Sequence, residues 1–384
     1  MNSMQSRGGT FRYGGYTVER FANAEAALRS GSADGPPATA GFPPHRLDWA
    51  RALAPRAWWW LEVREDGGPR VAGYSVAVLE TRWMPGHRML RLPLLRFATA
   101  PGPAEAAVRY LSEFARTDGR TLSVSVEAMF ETEEARKAAA GALAGAGYAR
   151  AERVRMYSHT LGIDLAPPEE ALFAALHPTT RRHIRAVAKR PVAIRLVDDA
   201  ALAPRLDAIL QATFDRTAGH APPERWPELI AYGQAHPDVA RLVSLVRTDR
   251  DGPDAVVAFA LGINHGDSVE YATAGSARSP DLKFPLGYAL AWDLIVWARR
   301  VGARWFDFGG ISTRARDDDP RKGINEFKRM FGDDILEVRH EWTYVARPRR
   351  AAWVSLVRTG LRRIENTVSA ARVALHRRPR GSDR

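Results

Sequence analysis

The sequence predicts a mixed α/β protein with two tandem domains of one type, followed by a basic helical tail. Its 384 residues, 45% hydrophobic and 26% charged, have the composition of an ordinary globular protein and are enough for two separate cores. One order of predicted elements occurs twice along the chain, which indicates a duplicated domain. We therefore expect domains at 1–165 and 166–346, with the tail at 347–384.

The first copy follows a loop at 31–44 that is rich in glycine, proline, alanine and serine. Two apolar runs around the turn Glu65-Asp66-Gly67-Gly68 predict a hairpin. Next, apolar residues at three-to-four spacing predict a helix over 103–117. The remaining predicted elements are a strand at 121–126, an alanine-rich helix over 131–144 and a strand pair within 148–165.

The second copy repeats this order. Its hairpin turns at Asp249-Arg250-Asp251-Gly252, and its long helix over 285–301 is followed by Gly302, a residue type that commonly ends helices. The other predicted elements are strands at 268–274, 305–308 and 336–345 and a short helix over 324–331. Hairpin, helix, strand, helix, strand is the order of an acetyltransferase-like (GNAT) domain, so the sequence predicts two of them in tandem.

Several kinds of chemistry are excluded by residues that the chain lacks. It contains no cysteine, which excludes disulfides, thiol catalysis and Cys-based zinc sites. No HExxH pair, P-loop, dinucleotide GxGxxG or GxSxG motif occurs, so we predict neither a metal nor an organic cofactor. Residues 279–285, ahead of the second long helix, contain Pro280 and Pro285. Because proline has no N–H, this segment is a poor pyrophosphate cradle for coenzyme A.

Lysine is rare in this chain, where only five of the 56 basic residues are lysine. Two of the five, Lys322 and Lys328, lie within seven positions of each other, shortly after a predicted strand end. Arginine carries a planar fork, whereas lysine carries a compact ammonium that can rotate. The retained pair indicates a specific role for lysine in this segment.

Two stretches around this pair carry a family resemblance. "WFDFGGISTR" (305–314) and "GINEFKRMFGDD" (323–334) resemble the C-terminal signature of the FemABX family, a strand ending in Asp-x-Gly-Gly and a Phe-Lys-x-x-Phe-Gly segment. Three weaker matches, "TTRRHIRAVAK", "ATFDRTAGH" and "RFATAPGP", resemble other conserved segments of that family. The resemblance covers roughly 50–345 and implies the tandem GNAT-like fold.

The resemblance also implies a function. Members of the family transfer an amino acid from aminoacyl-tRNA to an amine, most often on a peptidoglycan precursor, and form a peptide bond. We therefore expect aminoacyl-tRNA as the donor and a peptidoglycan precursor or another small peptide as the acceptor. Such an aminolysis passes through an oxyanion, which needs a cation or N–H donors aimed at it and close positioning of both substrates.

Lys328 is the predicted catalytic cation. We expect it beside Phe327 at the start of a short helix, where the helix dipole adds positive charge. The alternative for Lys328 is a surface salt bridge to Asp333 or Asp334, and the alternative for Phe327 is a core contact with Phe331. Asp307 is a third catalytic candidate, which would orient the lysine or the incoming amine, or else cap the following turn.

Six further residues are predicted to bind substrate. Arg216 is a candidate ligand for phosphate or carboxylate, with a helix-surface arginine as the alternative. In the family an aspartate usually follows the Gly-Pro of the first domain. In this chain Glu105 lies one position earlier than that aspartate would, and we expect it to replace the aspartate. The others are Tyr271 and Tyr288, which line the cleft or else pack in the core, and Gly309 and Gly310, which give the backbone freedom or admit substrate.

The tail concentrates the positive charge. Of the net charge of +12, residues 347–384 carry +9, from 11 arginines against Glu365 and Asp383. Apolar residues at helical spacing predict a basic amphipathic helix that lies on an anionic membrane, docks on the second domain or contacts tRNA phosphates. No signal peptide and no run of 18 apolar residues occur, which predicts a cytoplasmic protein, with peripheral contact at the inner face of the membrane through the tail.

Two other functions remain open from the sequence. An acyl-CoA-dependent N-acyltransferase for envelope polysaccharide or natural-product synthesis would use the same fold, although the prolines at 280 and 285 argue against it. A binding protein that has lost its chemistry is the other, and the intact segment around Lys328 argues against that one.

Overall fold

A computed structural model describes residues 10–31, 42–54, 57–99, 102–152, 155, 157–216, 221–277, 282, 284–312 and 322–357. The strands are β1 Thr10–Tyr13, β2 Tyr16–Phe21, β3 Trp59–Glu65, β4 Arg70–Glu80, β5 Arg88–Arg96, β6 Thr121–Met129, β7 Ala149–Arg150, β8 His159–Asp164, β9 Val192–Leu196, β10 Ala240–Arg247, β11 Val256–Asn264, β12 Ser268–Ser276, β13 Trp305–Gly310, β14 Ile335–Glu337 and β15 Arg339–Val345. The α-helices are α1 Ala24–Arg29, α2 Leu47–Leu53, α3 Gly102–Thr117, α4 Glu133–Gly145, α5 Glu169–Ala175, α6 Pro178–Ala186, α7 Ala203–Arg216, α8 Trp226–Ala235, α9 Gly287–Arg300 and α10 Lys322–Arg329. Four 3-10 turns, Pro43–His45, Val187–Lys189, Ala200–Leu202 and Pro253–Ala255, complete these elements, and a helix also covers 348–357 at the end of the described chain.

The strands form two mixed sheets, as predicted. The first has eight strands in the order β1-β2-β3-β4-β5-β6-β15-β7, and the second has seven in the order β14-β8-β13-β12-β11-β10-β9. Each sheet contains antiparallel neighbours followed by one parallel pair that a helix connects: β5-α3-β6 in the first and β12-α9-β13 in the second. Among the described helices, none is long and apolar enough to cross a bilayer.

Two strands are exchanged between the sheets. β8, which precedes the predicted boundary at 165, pairs with β13 and β14 in the second sheet. β15, at the end of the second predicted domain, pairs with β6 and β7 in the first. Burial explains the exchange, because Leu161 of β8 packs in the core of the second sheet and Trp342 of β15 in the core of the first. Alternating apolar residues predict a strand, but they do not identify its partner.

The parallel pairs of the two sheets differ in length. β5 and β6 stay paired from Arg88 opposite Thr121 to Arg96 opposite Met129. β12 and β13 pair only as far as Glu270 opposite Asp307. Beyond that point β12 continues along β11 and β13 continues along β8. The two strands therefore diverge after this last pair and open a wedge between them in the second sheet.

Polar contacts join the two halves of the chain. The Arg96 guanidinium at the end of β5 lies 2.9 Å from the Asp267 carboxylate, in the turn before β12. The Tyr232 hydroxyl of α8 donates to Asp48 of α2 at 3.1 Å. The first contact therefore holds the end of β5 beside the start of β12, and the second joins α8 to α2.

Candidate functional site

Lys328 projects from α10 to the end of β13. Its side chain is buried, with 8% of the residue exposed, and Nζ donates a hydrogen bond of 2.6 Å to the Gly310 carbonyl. Burial lowers the pKa of Lys328 from an ordinary 10.5 to about 8, although the charges of Asp307 and Glu270 oppose that shift. The ammonium is therefore protonated at neutral pH in a largely dry site. Its predicted role in stabilising an oxyanion stays a prediction.

The position of Lys328 in its helix differs from the prediction. α10 runs from Lys322 to Arg329, so Lys328 lies in the last turn and not in the first. The expected contribution from a helix N-terminus is therefore wrong, and the C-terminal carbonyl groups favour the cation instead. The surface salt bridge is also absent, because within 322–357 no ion pair joins Lys328 to Asp333 or Asp334.

Asp307 and Glu270 face each other at the last pair before the wedge. Asp307 Oδ1 accepts from the Thr160 hydroxyl and, at 2.6 Å, from the Gly309 amide. The pKa of Asp307 is raised, first by burial and then by the Glu270 charge. The bond from the Gly309 amide is the cap of the following turn that was the alternative for Asp307. Its role in orienting the lysine or the incoming amine stays a prediction.

Glu270 is a second carboxylate, which the sequence reading missed. It accepts from the Tyr157 hydroxyl at 2.8 Å and from His265 Nε2 at 3.0 Å. Burial alone would raise the pKa of Glu270, but the hydrogen bond and charge of His265, helped by Arg339 and Tyr157, lower it to about 2. Glu270 therefore stays ionised. A charged residue within a predicted strand was the one sequence signal that pointed to it.

Phe327 belongs to an aromatic cluster beside Lys328. The rings of Phe327 and Phe331 lie 5.3 Å apart in an edge-to-face arrangement, as the core contact predicted. The Tyr288 ring lies 5.0 Å from Phe327, and the Tyr271 ring lies 5.6 Å from Phe308. Both tyrosines are partly buried and pack against the core of the second sheet.

The two glycines at the end of β13 have different roles. Gly309 has a φ of +71°, a backbone conformation that favours glycine. Gly310 is needed for space, since a Cβ there would lie 2.6 Å from Cβ of Tyr157. The predicted backbone freedom therefore applies to Gly309. At Gly310 the group that approaches closely is the Tyr157 side chain.

Two predicted site residues lie elsewhere. Arg216, the last residue of α7, donates to the Ser276 carbonyl at 2.8 Å, at the opposite end of β12 from Glu270. Glu105 accepts from Tyr13 at 2.8 Å and from Arg109 at 2.9 Å, within the first sheet and its helix. Neither is in contact with Lys328, and their roles in binding substrate stay predictions. In the described ranges, no three His, Asp or Glu side chains converge to form a metal site.

Comparison with known proteins finds one matching family and several similar structures. The FemAB family model matches residues 241–358. FemX has a similar structure, with 13% identity over 77% of this chain and 90% of its own and a TM-score of 0.62. L-PGS from Bacillus licheniformis has 14% identity over 74% and 84% of the two chains (TM-score 0.47). A tandem GNAT protein from the clavulanic acid biosynthesis pathway has 16% identity over 78% and 86% (TM-score 0.44).

No curated protein sequence matches the chain. The matched residues 241–358 contain α10, β12 and β13, and therefore Lys328, Asp307 and Glu270. FemX has the same overall fold over 77% of this chain. The predicted resemblance to the FemABX family is confirmed, since residues 241–358 match the FemAB family on a fold that the chain shares with FemX.

Proposed function

We propose that this protein is an aminoacyltransferase that moves an amino acid from aminoacyl-tRNA to an amine of a peptidoglycan precursor or another small peptide. The family match supports an acyl- or aminoacyltransferase in general. The observation that carries the proposal is the Lys328 ammonium, which is buried at the end of the wedge and hydrogen-bonded to the Gly310 carbonyl.

The proposed reaction is the aminolysis of an ester. The acceptor amine attacks the aminoacyl carbonyl, a C–N bond forms, and the ester oxygen leaves as a ribose hydroxyl of the tRNA. Between these events the carbonyl oxygen carries a negative charge. An ammonium has three N–H donors, and in the described part of the site only Gly310 accepts from one of them. Lys328 can therefore stabilise the oxyanion through another N–H group.

The proton balance assigns a role to Asp307. Once the amine has attacked, its nitrogen must lose a proton, and the leaving ribose oxygen must gain one. A carboxylate whose pKa is raised by burial and by the Glu270 charge accepts such a proton more readily than an ordinary aspartate. We propose that Asp307 takes the proton from the amine nitrogen and passes it to the leaving ribose oxygen, and that Lys328, with a pKa of about 8, supplies the charge that stabilises the oxyanion.

A transfer assay tests the donor and the acceptor together. Purified protein is incubated with bulk tRNA charged with labelled amino acids and with a panel of peptidoglycan precursors and short peptides. We expect a labelled amide product that forms with wild-type protein and is strongly reduced with Lys328→Ala. Acetyl transfer from acetyl-CoA, together with a raised melting temperature in coenzyme A and no transfer from tRNA, would establish the alternative N-acyltransferase.

We also propose that the tail contacts a membrane surface. Its described start is anchored to the first sheet and not to the second domain, because Arg347 donates to the Asp118 carbonyl and Arg350 to the Gly119 carbonyl. Trp353 and Leu356 are 48% and 73% exposed, three positions apart on one helix face. The rest of the predicted amphipathic helix, 358–384, lies outside the described residues. An exposed apolar face with arginines around it suits an anionic bilayer.

A further inference from the structure

Tyr157 lies where the first domain meets the site in the second. The residue precedes β8 and packs directly on the end of β13. A Cβ on Gly310 would lie 2.6 Å from its Cβ, and a Cβ on Gly309 would lie 3.9 Å from both its Cε1 and Lys328 Nζ. The Tyr157 ring is therefore a wall of the space that holds the ammonium.

Both parts of the Tyr157 side chain are held by charged partners. Its hydroxyl donates to Glu270 at 2.8 Å, and Glu270 is fixed from its other side by His265. The Arg339 guanidinium lies 4.4 Å from the centre of the ring and donates to the hydroxyl at 3.4 Å. Arg339 is itself buried, with 3% of the residue exposed. Burial and the Glu270 charge raise the pKa of Tyr157, so the hydroxyl stays protonated and remains a donor.

We propose that Tyr157 is a positioning residue for Lys328. Its ring presses on Gly309 and Gly310 and keeps water from the ammonium, while Glu270 and Arg339 hold the ring in place. Arg339 belongs to β15, one of the exchanged strands, so a residue in the first sheet sets the environment of the lysine in the second. The inference rests on the proposed catalytic role of Lys328, but its physical content, the dry environment of the ammonium, can be measured separately.

The ionisation of Lys328 provides that measurement. With five lysines in the chain, selective ¹³C labelling gives few enough side-chain signals to follow Lys328 by NMR, assigned through Lys328→Arg. The charged groups that face it are Asp307 and Glu270, whose charges raise its pKa, with Arg339 and His265 behind them. Burial is the larger effect, so a change that admits water must raise the pKa of Lys328 towards 10.5.

The variants are Tyr157→Ala and Tyr157→Leu, which remove the aromatic wall, and Tyr157→Phe, which removes the hydroxyl alone. Tyr148→Phe is the matched control, because this buried tyrosine donates to the Val108 carbonyl at 3.0 Å within the first core. We expect Tyr157→Ala to raise the midpoint of the Lys328 titration by about one pH unit or more. Turnover should fall by about tenfold or more while KM changes little.

Tyr157→Leu is expected to give a smaller shift in the same direction, and Tyr157→Phe should keep the titration near that of wild type. Tyr148→Phe should lower the melting temperature and leave the Lys328 titration and turnover unchanged. The inference is overturned if folded Tyr157→Ala or Tyr157→Leu leaves the Lys328 titration unchanged, or if wild-type Lys328 titrates near 10.5. A protein with the expected titrations but without tRNA-dependent transfer would instead contradict the proposed function and leave the positioning of Lys328 intact.

Discussion

Replacing Lys328 is the decisive perturbation of the proposed mechanism. Lowering the pKa from 10.5 to about 8 means that holding the ammonium in this site costs roughly 3 kcal/mol at neutral pH compared with water. A cation kept there against that cost meets a developing oxyanion with little water between them, which makes the contact strong. Lys328→Ala should therefore reduce the rate of transfer by about a hundred- to a thousandfold, the usual loss for one oxyanion-stabilising group.

The pattern of the effect separates catalysis from binding. Because the contact forms mainly in the transition state, Lys328→Ala should lower kcat and kcat/KM together and change KM little. Lys328→Arg should also be poor, since the guanidinium is wider than an ammonium and the space is bounded by Gly309, Gly310 and Tyr157. Arg329→Ala, at the exposed neighbouring position in the same helical turn, is the matched control and should transfer normally.

The assay is single-turnover transfer from charged tRNA at several pH values, with a melting curve for each variant. Wild-type rates should fall as the pH rises through about 8, because Lys328 then loses its proton. That fall should be missing in Lys328→Arg, whose side chain stays charged. Near-wild-type transfer by Lys328→Ala would show that the lysine plays no part in the chemistry, and the proposed mechanism would be refuted.

Three other predictions concern stability and the tail. Between about pH 8 and 10.5 the unfolded chain holds the Lys328 proton more tightly than the folded chain does. As the pH rises through this window, the free energy of unfolding of wild type, measured with urea, should therefore increase by up to roughly 3 kcal/mol relative to that of Lys328→Met. No increase would mean that the pKa of Lys328 is unperturbed. Gly310→Ala should lower the free energy of unfolding by about 1–3 kcal/mol, because its Cβ would overlap Tyr157. Gly323→Ala on α10, where the space around the Cβ is open, should not destabilise the protein. Equal stabilities of the two variants would contradict the overlap. Full-length protein should sediment with anionic vesicles more than a chain ending at Ala346, and equal partitioning would exclude membrane contact through the tail.

The elements that sequence predicted well are those with regular apolar spacing. The helix expected over 103–117 is α3, Gly102–Thr117, and the strand expected at 305–308 is β13, Trp305–Gly310. The hairpin of β1 and β2 was not predicted, although Gly14 and Gly15 mark its turn, because its strands are short and only half buried at the edge of the sheet. Strand partners could not be predicted, since pairing depends on burial between distant segments.

The residues of the site also fall into two groups, those that the sequence predicted and those that it did not. Lys328, Phe327 and Asp307 came from short motifs whose residues are near one another in sequence. No short motif joins the other four residues, Glu270, His265, Tyr157 and Arg339. Sheet pairing brings them together from segments that are far apart in the chain. Lys328 was expected at the start of its helix and lies near the end, because α10 begins and ends two residues earlier than the spacing predicted.

The exchanged strands have a consequence for how the protein folds. β8 lies between β13 and β14, and β15 lies between β6 and β7, so each sheet has an interior strand that comes from the other half of the sequence. A fragment ending at 165 would lack β15, and a fragment starting at 166 would lack β8. Neither half of the chain can complete its hydrogen-bonded ladder alone, so we expect each half to need the other for its stability. We expect the chain to unfold in a single cooperative transition, and separately expressed halves to become stable only when mixed.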